Sequence, residues 1–328
     1  MTSDVRLSVV TSMYRSSAYL DEFYSRAVRA ISAITSSYEF VFVNDGSPDD
    51  SLAVALRIRE RDPRVRIVDL SRNFGHHRAL MTGLAHARGE LVFLVDCDLE
   101  EEPEWLLRFH ETLQRTGADV VFGVQVARKG GILERVGGAV FYTALGRMMT
   151  TPLPRNAITA RLMTHRYVRA LIQHKDREIC LAGLWVITGF DQRPIDVVKG
   201  YREGSTYSFR ARVSAVVNAV TSFSNRPLIY IFYLGAFVVT ISAIAAAALT
   251  IRALATGIDV AGYASLIVSI WLLGGLTLFS QGIIGVYLAK VFTEIKDRPY
   301  TIVRAEYGMP ELDEHIGSPA TDAAVLRR

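Results

Sequence analysis

Residues 91–103 read LVFLVDCDLEEEP, and how this stretch is read decides the fold. Leu91 to Val95 is a short unbroken apolar run, the pattern of a strand covered on both faces of a sheet. It leads directly into Asp96-Cys97-Asp98. Side chains two apart on an extended chain share a face, so both carboxylates are expected to point one way. Cys97 is then expected in the opposite face as a small apolar filler. Open α/β sheets carry their ligands at the carboxyl ends of buried strands. Two carboxylates there repel unless a cation lies between them. A hydrated Mg2+ or Mn2+ that also holds substrate phosphates is the natural candidate. An Asp-x-Asp on its own is more often a solvated acidic loop, so its weight depends on the chain around it.

Upstream, the pattern alternates strand and helix. Residues 6–10 (RLSVV), 39–43 (EFVFV) and 65–70 (VRIVDL) read as strands, and 19–34, 52–61 and 78–88 as helices. Asp50 or Ser51 is expected to cap the second helix, and Gly89 to end the third. Pro103 opens a helix over 104–116, and 119–123 (DVVFG) is a further strand. This rhythm predicts an α/β domain with a mostly parallel sheet wrapped by helices. The pattern then changes. Residues 128–138 are expected to be a loop over the carboxyl edge, and 141–149 a helix broken by Thr151-Pro152-Leu153-Pro154. Residues 161–173 are expected as a helix and 184–187 with 195–198 as a strand pair. Residues 201–208 read as a polar loop.

Residues 209–223 are amphipathic, with Arg210 and Arg212 near the start, and are expected to lie on a membrane interface. Residues 228–251 carry no charge and are long enough to cross a bilayer. Tyr230 and Tyr233 sit where an aromatic belt would. A second span, 263–289, is interrupted by Gln281, and its glycines permit close helix packing and a homo-oligomer. Arg226 precedes the first span; Lys290, Lys296 and Arg298 follow the second. This bias places both flanks in the cytoplasm. The expected organisation is a cytoplasmic catalytic domain over 1–208, a juxtamembrane helix over 209–226, a two-helix transmembrane hairpin over 227–290 and a cytoplasmic tail over 291–328. The tail after Tyr300 is expected to be loosely ordered.

The 328 residues are 50% hydrophobic and 21% charged, with a formal charge of +4. The mean hydropathy of +0.22 is high for a wholly soluble chain, and the excess lies in the two apolar runs. The interleaved acids exclude a nucleic-acid stripe; a basic edge beside an anionic membrane fits better. Two cysteines make neither a disulfide framework nor a metal-ligand spacing, and suit a reducing compartment. The first ten residues lack the charged, apolar, small order of a cleavable leader.

Several motifs stand in a telling order: VNDGSPD (43–49), LSRNFG (70–75), VDCDLEEEPE (95–104), GADVVFG (117–123), RLM (161–163), REGSTYS (202–208) and SFSNRPL (222–228). Over roughly residues 6–300 the chain resembles the polyisoprenyl-phosphate glycosyltransferases. This is the group of family 2 enzymes of GT-A fold that includes dolichol-phosphate mannosyltransferase and bacterial undecaprenyl-phosphate glucosyltransferases. The resemblance implies inverting transfer of one sugar from a nucleotide-sugar donor to a polyprenyl phosphate, for a cell-envelope glycan. It places the enzyme in the cytoplasmic membrane among membrane lipids, with its catalytic domain in the cytoplasm. It implies that Asp45 meets the nucleotide, that Tyr14, Arg72 and Asn73 line the donor pocket, and that Asp96 contacts the ribose or metal-bound water. Asp98 would hold Mg2+ or Mn2+ on the diphosphate, with Asp96 beside it. Arg202 and Ser205, with Tyr207 close by, would meet the acceptor phosphate, where an arginine fork matches phosphate oxygens. Asp96, Asp98 and Arg202 form the implied catalytic set.

The chain also departs from that family. Ser12-Met13-Tyr14-Arg15-Ser16 replaces a proline-valine-tyrosine-asparagine-glutamate run. Asn156-Ala157-Ile158-Thr159-Ala160 replaces a segment that usually holds a carboxylate proposed as base, and Thr206 stands where a lysine is usual. Asn156 or Thr159 can orient a group but cannot usefully accept a proton. His76 and His77 read as surface or donor-pocket residues. Two other readings follow. One is a catalytically degenerate membrane protein that binds sugar-nucleotide or lipid phosphate. The other, a processive polysaccharide synthase, is weakened by the lack of a Gln-x-x-Arg-Trp motif and of further spans.

Overall fold

The structure is a computed structural model and describes residues 5–126, 156–176, 179–200, 226–256 and 263–308. Its first half alternates β1 (Leu7–Met13), α1 (Leu20–Ser32), β2 (Tyr38–Asn44), α2 (Ser51–Arg61), β3 (Val65–Leu70), α3 (His76–His86), β4 (Leu91–Leu94), α4 (Trp105–Thr116) and β5 (Val120–Gln125). The remaining elements are β6 (Ala157–Thr164), α5 (His165–Leu171), α6 (Leu181–Ile187), β7 (Gln192–Val197), the long helices α7 (Arg226–Thr256) and α8 (Tyr263–Ile295), and β8 (Val303–Tyr307). The strands form one sheet in the order β7-β5-β6-β4-β1-β2-β3-β8. β1 pairs in parallel with β2 and β4, β2 with β3, and β5 with β7. β6 runs antiparallel between β4 and β5, and β8 lies antiparallel against β3.

Alternation along the buried strands explains the layers. Phe40 and Phe42 of β2 face a core built with Phe23 and Ile31 of α1, Ile58 of α2 and Phe109 of α4. Val41 and Val43 face the other side, against Leu80 and Leu84 of α3, Tyr167 of α5 and Leu184 of α6. Because β1, β2, β3 and β4 are parallel, their carboxyl ends gather at one edge.

The structure corrects several expectations. Residues 161–173 are not one helix. Ala157–Thr164 is a strand, because Ile158, Ala160 and Leu162 alternate into one core while Met163 faces the other, and the helix starts only at His165. Residues 184–187 belong to a helix, with Leu181, Leu184 and Trp185 buried at helical spacing. A short apolar run fits either element, and packing decided this one. The second helix is capped by neither Asp50 nor Ser51. The Asp49 carboxylate accepts the Ser51 N–H at 3.1 Å and its hydroxyl at 2.6 Å. Residues 303–307 are not loose: Ile67 opposes Tyr307 and Val68 opposes Glu306 across an ordered ladder, while 309–328 lie outside the described residues.

α7 and α8 leave the sheet domain and expose apolar side chains, Phe232, Ile244, Leu278 and Phe279 among them. Among the described residues, one stretch, Leu272–Ile295, is long and apolar enough to cross a bilayer.

Candidate active site at the carboxyl edge of the sheet

The edge is assembled from three turns. β2 ends at Asn44, and the next residue, Asp45, is buried. Its two oxygens accept the backbone N–H groups of Phe74 at 2.7 Å and Gly75 at 3.0 Å. Asp45 therefore clamps the loop that follows β3. Gly46 makes the approach feasible: its φ is +57°, and a Cβ there would lie 2.4 Å from the Arg72 carbonyl carbon. The clamped loop presents Arg72 and Asn73, both exposed. The Arg72 guanidinium sits 4.0 Å over the Phe74 ring and donates to the Asn73 carbonyl at 2.9 Å. Tyr14, past the end of β1, is exposed on the same edge. Arg15 beside it adopts φ +55° and donates its N–H to the Ser47 hydroxyl at 2.8 Å.

The acidic turn follows β4. Cys97 is buried and its thiol donates to the Ser12 carbonyl at 3.2 Å, in line with the filler role expected of it. Asp96 keeps a buried oxygen, Oδ1, with no hydrogen-bond donor of good geometry. The nearest cation-capable group is His76, whose Nε2 lies 3.3 Å away while its Nδ1 meets the Ser12 hydroxyl at 2.9 Å. Burial raises the Asp96 pKa above the usual carboxylate range, and the nearby Asp98 charge adds to the rise. Asp98 Oδ1 accepts the Glu100 N–H at 3.1 Å.

Glu101 was not singled out from the sequence. It is fully buried, and its carboxylate accepts the Asp96 N–H at 3.3 Å and the Thr159 N–H at 3.1 Å. It thus ties the acidic turn to β6. Burial, then the Asp96 charge, push its pKa up to about 8. Lys199, just past β7, lies 3.2 Å from the Glu100 carboxylate and 3.8 Å from that of Glu101. Burial alone would lower the Lys199 pKa, but Glu101, Asp96 and Glu100 outweigh it and raise it. Nothing in the run EEE marked its middle member as the buried one. Only the β6 register reveals it, by bringing Thr159 within reach. Lys199 likewise lies far from the acidic turn in sequence.

A second buried acid shows what a purely structural carboxylate looks like. Glu39, at the opposite edge, accepts from the Ser8 hydroxyl at 2.7 Å, from Arg66 at 2.7 Å and from Arg88 at 2.9 Å. Burial alone would raise its pKa, but these partners bring it below the ordinary value. Asp96 Oδ1 has no comparable set of donors. Among the described residues no three His, Cys, Asp or Glu side chains are grouped to hold a metal. Asp96 and Asp98 fit an ion of the Mg2+ or Mn2+ kind, which binds through one or two carboxylates and takes its other ligands from phosphates and water. Arg202, Ser205 and Tyr207, expected at the acceptor phosphate, lie outside the described residues, as do the loop over 128–138 and the segment 209–223.

Residues 8–171 match the model of Glycosyl transferase family 2. A Mycobacterium tuberculosis protein, named only provisionally as a glycosyltransferase, is 53% identical over 93% of this chain and 89% of its own length. The SfII prophage-derived bactoprenol glucosyl transferase of Shigella flexneri is 31% identical over 93% of this chain and all of its own. Among solved structures, the mannosyltransferase PcManGT from Pyrobaculum calidifontis, in complex with GDP-Man and Mn2+, is 18% identical over 90% of this chain and 88% of its own, with a TM-score of 0.47.

Proposed function

The chain belongs to glycosyl transferase family 2 and is a glycosyltransferase, and on that premise we propose that it transfers a single sugar from a nucleotide-sugar to a polyprenyl phosphate, with inversion, at the cytoplasmic face of a membrane. The observation that carries the proposal is the under-satisfied Asp96 beside Asp98 at a sheet edge, in a chain that continues into long apolar helices. Support for the acceptor comes from the Shigella flexneri relative, whose name specifies glucosyl transfer to bactoprenol. In this reading 1–208 is the catalytic domain, 209–226 a helix on the interface, 227–290 a hairpin of two spans in the cytoplasmic membrane and 291–328 a return to the cytoplasm.

Asp98, with Asp96, would hold a divalent ion, and such an ion neutralises charge on a leaving diphosphate. Asp45 fixes the loop carrying Arg72 and Asn73, which line the donor together with Tyr14. Glu101 holds the Asp96 backbone in place. An oxygen of the lipid phosphate attacks the anomeric carbon. The bond from that carbon to the diphosphate oxygen breaks, and its electron pair leaves with the nucleotide. A phosphate monoester is largely ionised near neutrality, so no strong base is needed, and a segment 156–160 without a carboxylate is compatible with turnover. Arg202, Ser205 and Tyr207 are assigned to the acceptor phosphate. Positioning and charge neutralisation then carry most of the rate.

That same segment also favours a second reading, a binding protein without activity. Turnover by the wild type separates the two, and one substitution tests the metal role. Asp98→Asn should abolish metal-dependent transfer while the fold persists; a variant with wild-type turnover would rule out the metal role, and a wild type without turnover would favour the binding protein.

A further inference from the structure

The strand that follows the second long helix reaches back into the donor side of the site. Arg304 of β8 donates its Nε–H to Asp69 Oδ2 at 2.8 Å, and its Nη2 lies 2.8 Å from the same oxygen. Asp69, at the end of β3, is buried, and its Oδ1 accepts the Asn44 amide at 2.8 Å. Asn44 immediately precedes Asp45, and its own side-chain oxygen accepts the Ser47 N–H at 3.2 Å. One residue past β3, the Ser71 N–H donates to the Ile302 carbonyl at 2.9 Å. Two contacts pin the strand from the side: the Thr301 and Thr82 hydroxyls at 2.8 Å, and Glu306 with His86 at 3.2 Å.

We propose that β8 is a donor-positioning element: Arg304, acting through Asp69 and Asn44, and Ile302, acting through Ser71, seat the clamp formed by Asp45 and residues 71–75. The physical reason lies in Asp69. A buried carboxylate that loses its cation must find a new partner or shift, and its other oxygen already holds the Asn44 amide, whose side-chain oxygen orders the turn around Asp45. The connection from Ile295 to Val303 is short, with a reach on the order of 25 Å. The helix expected in the bilayer and the donor loop are therefore joined by one short segment. The donor role rests on the function proposed above; the seating of the loop does not.

The test uses the full chain in detergent, comparing wild type, Arg304→Ala, Arg304→Lys and Thr301→Val. Hydrogen exchange of the peptide covering residues 71–75 reads the clamp directly and needs no ligand. Transfer kinetics with UDP-glucose and GDP-mannose, each supplied in turn, read donor positioning. Arg304→Ala should speed exchange in that peptide roughly tenfold, in line with the loss of a charge-assisted hydrogen bond, while peptides from α1 and α4 keep their rates. It should raise the donor KM by a similar factor, with kcat changing less. Arg304→Lys should restore part of both effects, and Thr301→Val should shift both modestly in the same direction. Unchanged exchange at 71–75, or equal acceleration throughout the sheet domain, would overturn the proposal. So would faster exchange with an unmoved KM. If neither nucleotide-sugar is a donor, the exchange result alone decides the seating, and the functional reading is judged separately with a wider set of nucleotide-sugars.

Discussion

Two acids at opposite edges of the sheet, Asp96 and Glu39, behave oppositely, and the difference lies in their partners. Glu39 has a hydroxyl and two guanidinium groups; Asp96 Oδ1 has no hydrogen-bond donor, with the Asp98 charge and the His76 ring nearby. The Glu101 brace pays for its position in pH sensitivity. Its pKa rises from 4.5 in the open chain to about 8, so the folded state holds a proton that the unfolded state has released. Stability should therefore be highest below about pH 4.5 as far as this group is concerned, and be lost as pH rises to about 8. Asp96 titrates with it, so the window belongs to the pair. Melting temperatures across that range should fall for the wild type and fall less steeply for Glu101→Gln; parallel curves would remove Glu101 from the account. At Gly46, alanine must accept a left-handed φ and a Cβ 2.4 Å from the Arg72 backbone. Gly46→Ala should destabilise by about 1–3 kcal/mol, read by denaturant midpoint, and weaken donor binding more than the neighbouring Ser47→Ala.

At the scale of elements, β8 closes an edge that would otherwise be open. β3 is wholly buried along its length, and an uncovered strand of that kind invites pairing with another chain. A soluble version ending before Leu228 would lose the anchor and β8 together. Joining residues 299–308 back to such a fragment through a Gly-Ser linker should raise its denaturant midpoint and suppress aggregation in light scattering; no difference would mean that β8 is dispensable to the sheet. What could be read from the sequence follows the same logic. The parallel strands were legible because VRIVDL and EFVFV are mostly apolar and alternate with helical segments, and Asp96 and Asp98 because they follow an apolar run. β8 was not, because VRAEY has no apolar run and stands alone after the long helices; its charged side chains find partners only in the fold, Arg304 on Asp69 of β3 and Glu306 on His86 of α3. β6 was missed because RLM fits a helix as well as a strand, and the antiparallel partners that settle it come from β4 and β5. Glu101 and Lys199 were invisible for a related reason. Their significance depends on a neighbour supplied by a distant strand.

For the whole molecule, the proposed function joins a sheet edge carrying Asp96 and Asp98 to helices whose apolar side chains, among the described residues, face outward. A water-soluble sugar carrier and a lipid acceptor can meet only if both parts work together. The most direct measurement is transfer itself. Membranes containing the chain are incubated with labelled nucleotide-sugars, one at a time, and undecaprenyl phosphate, with and without EDTA, and the label is then followed into the organic phase. The account predicts that one donor carries label into the organic phase and that EDTA stops it. Label that stays in water with every donor, or that crosses equally well in EDTA, would contradict it.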